Sequence, residues 1–356
     1  MSLKRDIKNY YSIIQERTDV MQMGYPNDMI KKFDIASAFI HGKGVRWCPD
    51  CGVELVLSPK DPWINGVLCP HCKRMFSWQQ WAHFREKWRW GEDNTSLVSF
   101  HGDEADVEVP HHCTRVCSYA FSNSSAITVR VPESVTVIEP FAFSNNDHLK
   151  KVELPAGLQR IEEGTFLGCD KLSQVYIPGT VKYIGMNAFS GCTSLKKVSI
   201  PESVLLIDEG AFAGSGLNEI VLSGTKVVAE NAFSACNNLW SAVLRATQIG
   251  SRAFADCMNL REVKLIEGIM TIGEQAFFNC TSLEHLHVPA SVYGFGNQAF
   301  AKVPRLSACI PKQLEEHIRQ YRTYSPTYGA ERCYLFENTA KLHFYEGGEK
   351  DDGKDV

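Results

Sequence analysis

The stretch Val198-Ser-Ile-Pro-Glu-Ser-Val-Leu-Leu-Ile-Asp-Glu-Gly-Ala-Phe212 carries the pattern that decides the fold. Val198 and Ile200 alternate with polar neighbours, as the inward positions of a short strand do. Pro201 ends that strand because it has no N–H to give to a ladder. Val204, Ile207, Ala211 and Phe212 then supply a second set of apolar positions. The closing pair of a small residue and Phe recurs as Ala120-Phe121, Ala142-Phe143, Thr165-Phe166, Ala188-Phe189, Ala211-Phe212, Ala232-Phe233, Ala253-Phe254, Ala276-Phe277 and Ala299-Phe300. Successive Phe residues are 22, 23, 23, 23, 21, 21, 23 and 23 positions apart. A unit this short cannot bury its apolar face alone, whereas stacked units can, with strands roughly 4.8 Å apart. The spacing predicts a continuous buried stack of Phe rings.

Working outward, a Leu follows most of the Phe residues by six positions, and an aliphatic pair such as Val152 and Leu154 or Val263 and Leu265 follows the Leu. The repeats between Phe212 and Phe254 are shorter and lack the proline, and the one containing Phe121 is irregular and reads as a cap. Residues 113–311 resemble the BspA-like class of leucine-rich repeat. The resemblance implies a curved right-handed solenoid with strands on one face, used for binding proteins or surfaces and not for catalysis. The expected fold class is an α+β repeat protein, a leucine-rich-repeat solenoid of short parallel strands behind a small helical, zinc-ribbon-like domain.

The outward position between the paired aliphatics runs Arg130, Glu153, Tyr176, Ser199, Val221, Val243, Lys264 and His287, with Trp240 among its neighbours. An apolar, aromatic centre flanked by polar residues is what a protein-binding surface needs. Glu153, Tyr176, Ser199, Val221, Trp240, Val243, Lys264 and His287 are therefore the candidate partner-binding residues.

Cys48-Pro-Asp-Cys51 and Cys69-Pro-His-Cys72 form two Cys-x-x-Cys pairs across a 17-residue spacer. That spacing is the signature of a zinc-ribbon site. Four thiolates suit tetrahedral zinc and leave no open position, so Cys48, Cys51, Cys69 and Cys72 are read as ligands of a structural zinc ion (Zn). Iron in a rubredoxin-like electron carrier is the competing metal. The following segment holds Lys73, Arg74, Trp78, Trp81, Phe84, Lys87, Trp88 and Arg89, a mixture of cations and rings that could hold single-stranded nucleic acid. Trp81, Phe84 and Trp88 also share one face of a helix, which favours packing, and the acids from Glu92 to Glu108 oppose a basic footprint.

Cys169, Cys192, Cys236, Cys257 and Cys280 each lie three residues after a repeat Phe, where Asn146, Ser215 and Val303 stand in other units. The interchange points to small buried residues in a turn rather than a redox ladder. His111-His112-Cys113 could be a thiol–imidazole pair but has no third partner, and reads as a linker or cap. No nucleophile elbow or phosphate loop is present, so the chain is read as non-enzymatic.

The 356 residues carry a net charge of -4 and 13 cysteines. That charge demands neither nucleic acid nor an anionic membrane as partner. No apolar run approaches the roughly 20 residues of a membrane span, so no membrane insertion is expected. An odd count of cysteines, most with metal or core spacing, favours a reducing cytoplasm, with the cell surface as the alternative. The expected organisation is a helical segment over 1–45, a zinc-ribbon-like module with Trp-rich helix and acidic linker over 46–110, the solenoid over 111–311, a cap over 312–346 and a disordered tail over 347–356. The expected function is a protein-binding scaffold, with a nucleic-acid-associated factor or a cell-surface adhesion protein as alternatives.

Overall fold

The computed structural model describes residues 48, 53–58, 66–322, 335–336 and 341–346. The helical segment expected over 1–45, the ligand Cys51 and the tail 347–356 lie outside the described residues. The chain divides into two compact units, Met1–Trp88 and Arg89–Val356.

In the first unit, strands Val56–Leu57, Val67–Leu68 and Met75–Phe76 form an antiparallel sheet in chain order. A helix follows over Trp78–Lys87. Its start is fixed by a reciprocal cap: the Gln80 N–H donates to Ser77 Oγ at 3.2 Å, and the Ser77 N–H donates to Gln80 Oε1 at 2.9 Å. Trp78 and Trp81 turn inward and pack with Cys48, Leu55, Val67, Cys69 and Phe76. Their rings meet edge to face, centroids 6.1 Å apart.

The second unit is a stack of coils, each closed by hydrogen bonds along three seams. On the strand face, one parallel sheet orders Gln174–Val175, Lys151–Glu153, Thr128–Arg130 and Asp106–Glu108. A second orders Glu219–Leu222, Ser241–Leu244, Glu262–Leu265, His285–His287, Ser307–Pro311 and Lys341–Tyr345. A further ladder of two-residue strands runs unbroken through seven coils, from Arg160–Ile161 to Gly294–Phe295. The third seam joins the Phe turns: the Phe189 N–H donates to the Ala211 carbonyl at 2.7 Å, Phe212 to Ala232 at 2.8 Å, and Phe233 to Ala253 at 2.7 Å. Backbone groups that a lone unit would leave bare are thus paired.

The Phe rings form the expected column. Phe121, Phe143, Phe166, Phe189, Phe212, Phe233, Phe254, Phe277 and Phe300 are fully buried. Phe189 and Phe212 stack at 5.0 Å, and Phe212 and Phe233 at 5.2 Å with rings 1° from parallel. Phe100 extends the column at one end at 5.5 Å, and Phe336 at the other at 5.0 Å. Burial of each ring contributes roughly 1.5–3 kcal/mol.

Two residues per coil flank each ring with positive φ. Two positions before the Phe stand Asn187, Asn231, Arg252, Gln275 and Gln298, with φ between 53 and 55°, and Gly164 and Gly210 at 56 and 60°. Asn and Gly enter this region at least cost. The proline turns also close as expected: the Val204 N–H donates to the Pro201 carbonyl at 3.0 Å, and Leu158 to Pro155 at 3.1 Å. In the shorter repeats the proline is replaced by strand, so Glu219–Leu222 and Ser241–Leu244 each have four residues.

Three expectations are corrected. Ser96–Phe100 and Asp106–Glu108, placed by spacing in an acidic linker ahead of the solenoid, already pair in parallel with its coils. Val107 is buried while Asp106 and Glu108 are exposed, so those acids are the outward positions of a strand. Phe121, read as part of an irregular cap, is a regular member of the ring column. Lys197–Ile200 forms no strand, and the strand face is interrupted there. That coil meets its neighbour through the Asn218 N–H donating to the Lys196 carbonyl at 3.0 Å.

At the C-terminal end a 3-10 turn over Lys312–Leu314 leads into a helix over Glu315–Arg322, and Leu314 and Ile318 are buried, as their spacing implies. Strand Lys341–Tyr345 joins the edge of the strand face. Among the described residues no helix is long and apolar enough to cross a membrane.

Candidate functional site

The outward row of the strand face is real over most of its length. Glu108, Arg130 and Glu153 are direct neighbours, and so are Val221, Val243, Lys264, His287, Cys309 and His343. Tyr176 follows its strand and Ser199 sits in the unpaired coil between the two sheets, both exposed. Trp240 belongs one step off the neighbouring row: Ser241, not Trp240, pairs with Glu219 and Glu262. The indole stands at the strand entrance, where the Trp240 carbonyl accepts from the Arg261 and Glu262 N–H groups.

The apolar centre survives these corrections. Tyr176 is 70 % exposed, Val221 52 % and Trp240 43 %, while among the described residues Tyr119, Met258, Met270 and Tyr293 are comparably exposed elsewhere. Val243 is half-buried beside them. One flank is charge-paired: Arg130 and Lys151 meet Glu153 at 3.4 and 2.7 Å, and the Lys151 hydrogen bond holds the Glu153 carboxyl below its ordinary range. Lys197 meets Glu219 at 3.2 Å. Such exposed pairs contribute little stability and mainly orient side chains. The other flank carries Lys264, His287, Cys309 and His343. Cys309 escaped the sequence reading because the last coil is one residue shorter after Leu306, and His343 because its strand lies beyond the repeats.

In the first unit, Cys48, Cys69 and Cys72 converge, their sulfurs all within 4.8 Å of one another. Cys48 Sγ and Cys72 Sγ lie 3.6 Å apart, beyond any disulfide. Four sulfurs about 2.3 Å from a tetrahedral zinc stand roughly 3.8 Å apart, so this spacing fits that ion. The Cys72 N–H points at Cys69 Sγ at 3.4 Å, which favours the thiolate a metal needs.

The nearby helix is committed to this core. Trp78, Trp81 and Trp88 are buried, and Phe84 packs on Trp88 at 6.4 Å, so these rings do not form a stacking platform for bases.

His112 and Cys113 are not poised for thiol–imidazole chemistry. Burial pulls the His112 pKa down to about 4 and pushes Cys113 up to about 12. The Cys113 thiol donates to the Arg115 carbonyl at 3.2 Å, and His112 packs on Trp90 at 4.3 Å. An activated nucleophile requires the opposite shifts.

The arrangement of a nine-ring column, an outward strand row and recurring Phe turns has a direct counterpart among known families. The family described as BspA type leucine rich repeat region matches residues 114–240 and 226–325, in 6 copies. The chain belongs to the BspA-type leucine-rich repeat family. Among solved structures, this BspA-type chain is similar to the T. pallidum leucine rich repeat protein TpLRR, at 29% identity over 49% of this chain and 88% of that one, TM-score 0.46. It is similar to a leucine rich cell surface protein from Faecalibacterium prausnitzii, at 21% identity over 74% and 93%, TM-score 0.34. It is also similar to the pneumococcal vaccine antigen PcpA, at 18% identity over 70% and 88%, TM-score 0.38. Among curated proteins none matches this BspA-type chain. Leucine-rich-repeat solenoids are generally non-enzymatic scaffolds that bind other proteins, and the BspA type suggests protein binding or surface adhesion.

Proposed function

We propose that this BspA-type chain is a non-enzymatic scaffold that binds another protein through its strand face, with a structural zinc ion in its first unit. The observation that carries the reading is the exposure of Tyr176, Val221 and Trp240 at the centre of a surface whose N-terminal flank is ion-paired. Exposed aromatic and aliphatic side chains within a polar rim are the composition of a binding hot spot. Cys48, Cys69 and Cys72, with Cys51 as the fourth ligand, would hold the zinc, and its binding would supply folding free energy to a small core. A reducing, cytoplasmic compartment is supported by Cys169, Cys192, Cys257 and Cys280, buried with their thiols donated to backbone carbonyls.

The test is capture from a nuclease-treated native lysate, comparing wild type with Tyr176→Ala/Val221→Ser. A protein retained by wild type and lost by the variant supports the strand face. The same protein retained equally by both overturns it. Retention seen only from a parallel lysate left untreated with nuclease would instead favour a nucleic-acid role.

A further inference from the structure

The C-terminal end of the strand face sets His287, one of the candidate partner-binding residues, among side chains that the scaffold reading does not use. Strands His285–His287, Ser307–Pro311 and Lys341–Tyr345 are adjacent and parallel. Their register sets His287 beside Cys309 and Cys309 beside His343. All three side chains are exposed, while the intervening Leu286, Ala308 and Ile310 are buried, so imidazole, thiol and imidazole leave the sheet on the same side. His285, two residues before His287, is exposed on that side too. Three of the chain's 11 histidines and a surface cysteine thus fall on three neighbouring strands.

A second feature fixes the group. The Tyr345 ring stacks on the His287 imidazole, centroids 4.9 Å apart and 23° from parallel. These residues belong to strands on either side of Ser307–Pro311, so the contact passes over the strand that carries Cys309. The Tyr345 hydroxyl donates to the Val288 carbonyl at 2.7 Å, which anchors the ring.

We propose that His287, Cys309 and His343 form a binding site for a borderline-soft divalent transition metal of the zinc or cobalt class. Neighbouring outward positions on a sheet stand about 4.8 Å apart. A cation about 2.3 Å from the central sulfur is then within reach of an imidazole from each side at about 2.0–2.1 Å. Among the described residues only the Cys48 cluster has its ligand atoms gathered within 4.8 Å, so binding here would have to draw the exposed imidazoles toward the sulfur. Thiolate and imidazole select such metals over magnesium or calcium. Glu262 supplies negative charge nearby and Glu284 is paired with Arg305, while Lys264 and Lys341 oppose them. Three protein ligands leave a fourth position open to water or to a side chain of a bound partner, unlike the closed four-cysteine set of the first unit.

The test is cobalt(II) titration of the full chain after loading with one equivalent of zinc. Wild type is expected to take up cobalt with a sulfur-to-cobalt charge-transfer band in the near ultraviolet and tetrahedral d–d bands in the visible. Cys309→Ser is expected to lose the charge-transfer band. His287→Ala/His343→Ala is expected to lose at least ~10-fold in affinity, the scale at which even outer partners act. All substituted positions are exposed, and circular dichroism verifies that each variant stays folded. No cobalt uptake by zinc-loaded wild type, or an identical spectrum and stoichiometry in Cys309→Ser, overturns the proposal. Because the readout is the difference at Cys309, it is independent of both the first-unit zinc and the partner-binding reading.

Discussion

The Cys169 thiol donates to the carbonyl oxygen of Phe143, one coil earlier, at 3.0 Å. Cys192, Cys236, Cys257 and Cys280 make the same bond to Phe166, Phe212, Phe233 and Phe254, and the Asn146 amide makes it to Phe121. At Phe166 the carbonyl also accepts the Cys169 N–H, so both of its lone pairs are used. In these units the slot holds a small buried donor, whereas Val303 fills it with an apolar side chain. Cys169→Val keeps the approximate volume and removes the donor, and is expected to cost about 1–3 kcal/mol. Urea unfolding monitored by circular dichroism checks this; an unchanged midpoint would show the thiol to be filler only.

Burial pushes the Cys169 thiol up to about 12 from an ordinary 9.0, and raises Cys192 and Cys280 as well. Below pH 9 these thiols are protonated in folded and unfolded chain alike, so they add no pH dependence. Between pH 9 and 12 the unfolded chain loses those protons while the folded chain keeps them. Stability is therefore expected to fall as pH rises through that window, by at most ~1.4 kcal/mol per pH unit for each such thiol. Cys169→Val should flatten the slope. A slope equal to that of wild type, measured by denaturant titration across the window, would contradict the assignment.

Removal of zinc by a chelator is expected to unfold the first unit and leave the solenoid standing. Trp78 and Trp81 pack directly on Cys48 and Cys69, so their emission should shift to the red. The far-ultraviolet signal of the coils should persist, because the ring column is a core of its own. Intact Trp emission with no zinc released would remove the ion from the account.

Phe233→Ala, in the middle of the column, is expected to cost about 3–5 kcal/mol, since it opens a void and breaks two ring stacks. Lys264→Ala on the outward row should stay within about 0.5 kcal/mol. Paired thermal and denaturant unfolding compares the two; similar losses would mean that the column is not the dominant core.

The ring column was legible because a ring every 21 to 23 residues has no other way to be buried. The Cys-x-x-Cys pairs were legible because two ligands on one tight turn need that spacing. The thiol slot was visible as a pattern, but its bond to a carbonyl in the preceding coil depends on how coils stack, which no single repeat encodes. The positive-φ positions were hidden for a related reason: Asn187, Gly210, Arg252 and Gln275 share a backbone shape imposed by the turn, not a side-chain type. The outward row was legible until loop length changed. One residue less after Leu306 concealed Cys309, His343 lies in a strand beyond the repeats, and the outward residue two positions after Leu239 is Ser241, not Trp240.

The interruption of the strand face at Lys197–Ile200 has a mechanical meaning. There the ladder from Arg160 to Phe295 and the ring column pass through unbroken, while the third seam has the Asn218–Lys196 hydrogen bond and the Lys197–Glu219 ion pair in place of a strand ladder. A rod fastened in that way is stiff in one plane and compliant in the other. Tension applied across the strand face would meet fewer ladder hydrogen bonds between Tyr176 and Val221 than on either side.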